Sequence, residues 1–314
     1  MSILSEPQFH NEEAAYAWVE AHVWPEGATC PKCGERDRVS KMAGKSTRIG
    51  TYKCYSCRKP FTVKVGTIFE DSHIALRIWL QAFHLIASSK KGISSNQLHR
   101  TLGVTLKSAW FLGHRIREAM RAGGLDVPMG GAGGSGIVEA DETFIGRKKG
   151  VAKKRGGMSH KNAVLSLVER GGDVRSFHID KANAANIMPI VRENVAKEAR
   201  IMTDDAGQYR HLGDEYDHEA VRHAAGEYVR GEAHTNTLEN YYSVFKRGMK
   251  GVYQHCSEQH LHRYVAEFDF RYNNRVGRGL DDKQRAAKAL KGVVGKRLTY
   301  RPTDRKMNGE STEA

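Results

Sequence analysis

Four of the five cysteines fall in two pairs, Cys30-Pro-Lys-Cys33 and Cys54-Tyr-Ser-Cys57, with twenty residues between them. A C-x2-C turn folds two thiolates toward one point. Two such turns on neighbouring hairpins complete a tetrahedral four-sulfur site, which suits zinc. Gly34 follows the first pair, where a tight knuckle needs a permissive backbone. TYKCYSC and PFTVKVGTIF have the β-branched and aromatic content of short strands. The competing readings are a redox C-x-x-C and coincidental thiols; two pairs at this spacing favour zinc. Four thiolates leave no open coordination position, so the expected Zn2+ is structural. Cys256 stands alone and reads as an ordinary, partly buried thiol.

A chain of 314 residues with 39% hydrophobic content has room for two or three domains around this module. Its formal net charge of +14 favours a polyanionic partner, most commonly nucleic acid. Charge alone does not separate DNA from RNA or from an acidic membrane. No apolar run approaches the ~18 residues of a membrane span. The opening MSILSEPQFHNEEAAYAW lacks the basic-then-apolar order of a signal peptide. The expectation is a cytoplasmic chain with reduced thiols.

Residues 73–92 carry apolar side chains at Ile74, Leu76, Ile78, Trp79, Ala82, Phe83 and Ile86, a spacing that predicts one helix packed on two sides. Next, Ser94 or Ser95 can cap a helix through Leu102. Gly103 makes a turn, and Thr105 or Lys107 opens a second helix. Helix, glycine turn, helix is the helix-turn-helix pattern, against the plainer reading of a helical hairpin. The Gly-rich stretch 122–136 lacks the Gly-Lys-Ser/Thr ending of a phosphate loop and reads as a flexible linker. Strands are then expected over 137–146, 162–170 and 173–180, a helix over 182–197 and a strand over 199–205. Together these make a mixed α/β sheet.

Carboxylates punctuate these strands. Asp141 lies inside an apolar strand, flanked by Glu139 and Glu142, and Asp204 and Asp205 end another. Each has an ordinary reading as a turn, edge or capping acid. Together, in a basic chain, they suggest a two-metal site, because phosphodiester chemistry builds charge that divalent ions held by carboxylates neutralise. Asn236-Thr237-Leu238-Glu239 fits a capping box, with Asn236 as N-cap and Glu239 at N3. Lys246 stands seven residues after Glu239, two helical turns on, so both point the same way. GRKKGVAKKRGG, residues 146–157, places Lys148, Lys149, Lys153, Lys154 and Arg155 in a loop that starts five residues after Asp141. It is either a solvated hairpin or a DNA-backbone contact. His218, His223 and His234 lack a fixed ligand spacing and are weak candidates for a second metal site.

Asp141 in VEADETFIG, Asp204 in IMTDDAGQY, and Glu239 with Lys246 in HTNTLENYYSVFKRG resemble the catalytic signatures of DDE transposases of bacterial insertion sequences. The N-terminal CPKCG…YKCYSCRKPFTVKVGTIF resembles the zinc ribbon of one such group, the ISXO-like insertion-sequence family fifteen-ninety-five. FDFRYNNR, residues 268–275, resembles its closing helix. The likeness runs in order over roughly residues 15–275.

The resemblance implies an RNase H-like catalytic fold and cleavage and joining of DNA strands with Mg2+, for which Mn2+ can substitute. It also implies double-stranded DNA as partner, namely terminal inverted repeats and target, with a homodimer or larger assembly on it, in a bacterial, nucleoid-associated setting. Asp141, Asp204 and Glu239 would hold two Mg2+ ions, and Lys246 and Arg247 would steady the DNA. Members of the group often carry Asn at the third position, so Asn236 competes with Glu239; Glu239 is favoured because a carboxylate binds Mg2+ better than an amide. Asp205 competes with Asp204. The implied organisation is an N-terminal helix and zinc ribbon (1–70), a helix-turn-helix-like region (71–122), a linker (123–136), the catalytic domain (137–280) and a basic tail (281–314) that reads as part helix, part disordered. The alternatives are a non-catalytic zinc-ribbon and helix-turn-helix regulator, and an RNase H-like nuclease without strand transfer.

Overall fold

The structure is a computed structural model. It describes residues 3–121, 127–131, 134–153, 155, 157–221 and 234–299. Helix α1 (Glu12–Val23) is capped by Asn11, whose side chain accepts from Ala14 N. A small antiparallel sheet follows, in the order β1 (Val39–Lys41), β2 (Tyr52–Cys54), β3 (Pro60–Phe61). Phe61 stacks on Tyr52, and Trp24 meets both rings edge-on, which closes an apolar cluster around Cys30 and Cys54. Only Pro60–Phe61 of the expected second strand segment is a strand. Beyond it the chain breaks into turns at Gly66, whose φ is +74°, and drives Ile68 and Phe69 into the helical core.

That core is built on α2 (Leu76–Ser88), α3 (Ser95–Leu102) and α4 (Leu106–Met120). Leu76, Trp79, Leu80, Phe83 and Ile86 bury the helical-period stripe of α2. Ser94 caps α3, Gly103 turns the chain in the left-handed conformation at φ +66°, and Thr105 caps α4. Two capped helices joined by a glycine turn therefore form as expected. The C-terminal half of α4 is buried apart from Glu118, whereas the first two turns, from Leu106 to Phe111, reach the surface except at Ala109.

The second domain is a five-stranded mixed sheet. Its strands are β4 (Ile137–Ile145), β5 (Asn162–Glu169), β6 (Val174–Ile179), β7 (Arg200–Asp204) and β8 (Asp217–Val221), in the order β6-β5-β4-β7-β8. The β4–β5 and β5–β6 pairs are antiparallel, whereas β7 runs parallel to β4 and β8 parallel to β7. This is the expected RNase H-like α/β domain behind a zinc ribbon. Strand β8 is absent from the elements the sequence predicts: with Asp217, His218 and Glu219 it is polar, and it holds its place as an edge strand, where polar side chains are tolerated.

Period-two alternation decides which face of β4 meets which helix. Val138 and Ala140 join the core under α5 (Ala184–Asn194), a helix that continues through Pro189. Glu139, Asp141, Thr143 and Ile145 alternate to the opposite face. There Ile145 packs with α6 (Asn236–Gly248) and α7 (Leu261–Asn273). Helix α7 also docks onto the helical body. Glu267, fully buried, pairs with Arg117 of α4 at 2.5 Å and with Arg271, and accepts a hydrogen bond from Tyr253.

The linker differs from its sequence reading. Its described part is docked: Met129 is buried and exchanges backbone hydrogen bonds with Asn194 and Ala196 beside α5, and an apolar side chain gains by that burial. In the tail, the expected helical part is α8 (Asp282–Lys291), which forms behind a full capping box at Asp281 and Gln284. Ala286, Ala289, Leu290 and Val293 complete the core of α1, α2 and α4.

Candidate active site

Strand β7 ends beside the middle of β4. The parallel register pairs Glu139 with Met202, and continuing it by two residues sets Asp141 opposite Asp204. The C-terminal ends of parallel strands are where α/β sheets gather ligand-binding groups. Burial, then the charges of Glu142 and Asp204, push the Asp141 carboxyl up to about 7. The Glu142 backbone N–H, at 2.7 Å, and the positive charge of Lys246 oppose this. Glu142 lies toward the other face, where it accepts from Gln208 at 3.0 Å and its carboxyl is also pushed up, chiefly by burial. Asp204 is half-buried and accepts from Ala206 N, whereas Asp205 is exposed.

Helix α6 forms the other wall. Tyr242 reaches across to donate to the backbone carbonyl of Asp141 at 2.5 Å. Lys246, one turn later, lies over the Tyr242 ring. Glu239, one turn earlier, is exposed, as is Asn236. Arg247 is exposed and folds back onto Ser243 O. The structure thus brings together Asp141, Glu142, Asp204 and Lys246 and leaves Glu239 on the rim. Among the described residues, only the four cysteines bring three or more potential ligand atoms within 4.8 Å of one another, so the three expected carboxylates do not close to that spacing.

The expected capping box at the start of α6 does not form. Thr235 is the N-cap and makes no side-chain capping bond, Asn236 is the first helical residue, and Glu239 falls one position beyond the capping-box site. The cap comes from Glu139 on β4, which is wholly buried. It accepts from Leu238 N at 3.1 Å and Thr237 Oγ1 at 2.8 Å, and pairs with Arg170 at 2.9 Å and His234 at 3.2 Å. A buried carboxylate needs such partners, and a helix N-terminus supplies donors with a favourable dipole. Sequence reasoning had noted Glu139 only as a flank of Asp141. The available signal was its two-residue step from Asp141, which puts both on one face.

In the basic loop, Lys148 is tied to Asp180 and is not a free cation, whereas Lys149, Lys153 and Arg155 are exposed and Lys154 lies outside the described residues. His218 bonds Thr203 at 2.8 Å, His234 belongs to the Glu139 network, and His223 lies outside the described residues. These two described histidines serve separate contacts. Cys256 is half-buried, and burial pushes its thiol up to about 12.

The zinc ribbon is a second, independent centre. The Sγ atoms of Cys30 and Cys57 lie 3.7 Å apart, and those of Cys33 and Cys54 lie 3.6 Å apart. Four sulfurs at ~2.3 Å from one zinc stand about 3.8 Å from each other, so the quartet fits the ion. The first knuckle closes through Gly34 at φ +76°, with Gly34 N bonded to Cys30 O.

Residues 134–273 match the profile of the ISXO2-like transposase domain, and residues 10–60 match that of the transposase zinc-ribbon domain. The chain thus carries an ISXO2-like transposase domain behind a transposase zinc ribbon. Over 267 residues it is 28% identical to an uncharacterized protein in transposable element ISH50 of Halobacterium salinarum, which covers 79% of this chain and 86% of that protein. Solved structures of a pre-cleavage Mos1 transpososome and of the Mos1 mariner paired end complex with Mn are 13% and 11% identical. Each covers 67% of this chain, and 73% and 89% of the respective chains, at TM-scores of 0.24 and 0.17. Overlaps that slight carry no weight for the fold. Among the described residues, no helix is long and apolar enough to cross a membrane.

Proposed function

We propose that this chain cleaves the ends of its element and joins the freed 3′-hydroxyl to target DNA by direct transesterification, acting in the bacterial cytoplasm as a dimer or larger assembly on DNA. The observation that carries this reading is the meeting of Asp141 and Asp204 at the end of β7, with their charge offset only partly by Lys246. Carboxylates held together at that energetic cost are matched to hard divalent cations. Asp141, Asp204 and Glu239 are the residues that would hold Mg2+, with Glu239 swinging in from the rim of α6. Two such ions, when bound, activate the attacking oxygen and stabilise the leaving one.

The chain's own groups have distinct roles in this reading. Tyr242 fixes the Asp141 backbone. Lys246 presents a cation to a phosphate lying between α6 and β4. Glu139 holds the start of α6 so that Glu239 and Lys246 stay over β4. Exposed Lys149, Lys153, Arg155 and Arg247, together with Lys154, supply backbone contacts that weaken as salt rises. The ribbon and the exposed start of α4 read the terminal repeats.

The test is nicking of a duplex carrying the inverted repeat from the DNA flanking the gene. Wild type with Mg2+ should nick, and Asp141→Asn should bind but not cut. Cutting by the variant would overturn the reading. Glu239→Gln against Asn236→Ala identifies the third ligand, and a strand-transfer product separates a transposase from a plain nuclease.

A further inference from the structure

A cavity of about 410 Å3 opens beside the acids, and Glu142 and Lys246 line both it and the acid cluster. That volume lies within the range of sites that enclose a small molecule, ~300–1,000 Å3. Its interior is mixed. Met249 and Leu261 give buried apolar surface. Thr143 and Asn162, each 1% exposed, leave Thr143 Oγ1 and Asn162 Oδ1 buried with no hydrogen-bond partner among the described residues. Orphaned oxygens of this kind cost free energy unless a donor meets them. Lys161 and Lys250 join Lys246 in the lining, and Met158 is a large apolar side chain left 49% exposed there.

We propose that this cavity receives one unstacked nucleotide of the DNA, next to the phosphate that reacts at Asp141. The proposal rests on the catalytic reading above. The chemistry matches part by part. A base has apolar faces for Met249, Leu261 and Met158, and N–H donors on its edge for Asn162 Oδ1 and Thr143 Oγ1. Its phosphates meet three lysines. Successive nucleotides of one strand rise ~3.4 Å along the duplex axis, and the charge of Lys246 acts on Asp141, so a nucleotide held at Lys246 lies close to the one at Asp141. Unstacking a base costs a few kcal/mol, which a pocket of this composition recovers, and exposed apolar wedges such as Met158 are suited to filling the gap left in the stack.

The experiment uses the full-length Asp141→Asn protein, which should bind without cutting. Its ligand is the inverted-repeat duplex with 2-aminopurine placed, one position at a time, at the nucleotides flanking the scissile phosphate. The expected result is a several-fold rise in fluorescence at one position only. Adding Met158→Ala and Lys250→Ala, both at exposed side chains, should abolish the rise, with duplex affinity reduced by no more than about tenfold. Thr143→Val, which keeps the shape, should reduce it. The inference is overturned if no position brightens while wild type nicks the same duplex, or if brightening is unchanged in the pocket variants. It is also overturned if a free deoxynucleoside monophosphate fills the cavity while the duplex base stays stacked. Wild-type nicking is measured separately, so failure of the catalytic reading shows as absent nicking whatever the fluorescence does.

Discussion

Glu139 Oε2 accepts a hydrogen bond at 3.1 Å from the backbone N–H of Leu238, ninety-nine positions further along the chain. This bond ties the strand that carries Asp141 to the helix that carries Glu239 and Lys246. Removing one partner of a buried ion pair typically costs ~3–5 kcal/mol. Glu139→Gln keeps the shape and some hydrogen bonds but leaves Arg170 without its counter-charge. We expect a loss of about 3 kcal/mol in urea unfolding, together with slower Mg2+-dependent nicking. A change below about 1 kcal/mol would show that α6 is held by its apolar face alone.

The raised pKa of Asp141 makes a pH-dependent prediction. Its folded value of about 7 lies above the ordinary carboxylate range, so the folded chain holds this proton more tightly than the unfolded chain. The resulting stability is complete at about pH 4 and is lost as pH rises toward 7. Without divalent metal, Asp141→Asn should therefore be more stable than wild type at pH 8, by about 2 kcal/mol, and no more stable at pH 4. Mg2+ should raise the melting temperature of wild type and not of the variant. Equal metal shifts in both proteins would remove Asp141 from the ligand set.

Zinc content is the third prediction. Metal analysis should find one zinc per chain, and Cys57→Ser or a strong chelator should remove it. Because structural zinc supplies folding free energy, the ribbon should lose its amide protection while β4–β7 keep theirs. A ribbon that stays protected without metal would mean that Trp24, Tyr52 and Phe61 suffice.

Gly248, the last residue of α6, supplies a steric test. A Cβ there would come within 2.4 Å of Phe268 Cζ and 2.6 Å of Lys91 O, whereas Gly251 has open space around it. Gly248→Ala should wedge α6 away from α7 at a cost of ~1–3 kcal/mol, and Gly251→Ala should be close to neutral. Denaturant midpoints of the two variants decide it.

Local chemistry in the sequence accounts for much of this architecture. The paired cysteines announced the ribbon, Ser94, Gly103 and Thr105 bounded the helical hairpin, a near-continuous apolar run marked β5, and apolar strands interrupted or ended by acids marked β4 and β7. What stayed hidden depends on distant partners. A capping box at Asn236 is a sound local inference, and it fails because a carboxylate from another strand takes the same donors. Strand β8 is too polar to be read without its neighbour β7, and the destination of α8 has no signature in its own residues. Asp141 and Asp204 were legible as acids ending or interrupting strands. The approach of Asp204 to Asp141 and Glu142, and the exposed position of Glu239, required the sheet register and the seating of α6.

The packing of Ala286, Ala289, Leu290 and Val293 against α1, α2 and α4 sets an order of events during synthesis. Every residue of the β4–β8 sheet and of α6 and α7 leaves the ribosome before the first helices gain their final neighbour. The segment that emerges earliest is therefore among the last to reach its mature packing. A chain stopped short of residue 286 would carry all the acids described above beside a helical body left with an open apolar seam.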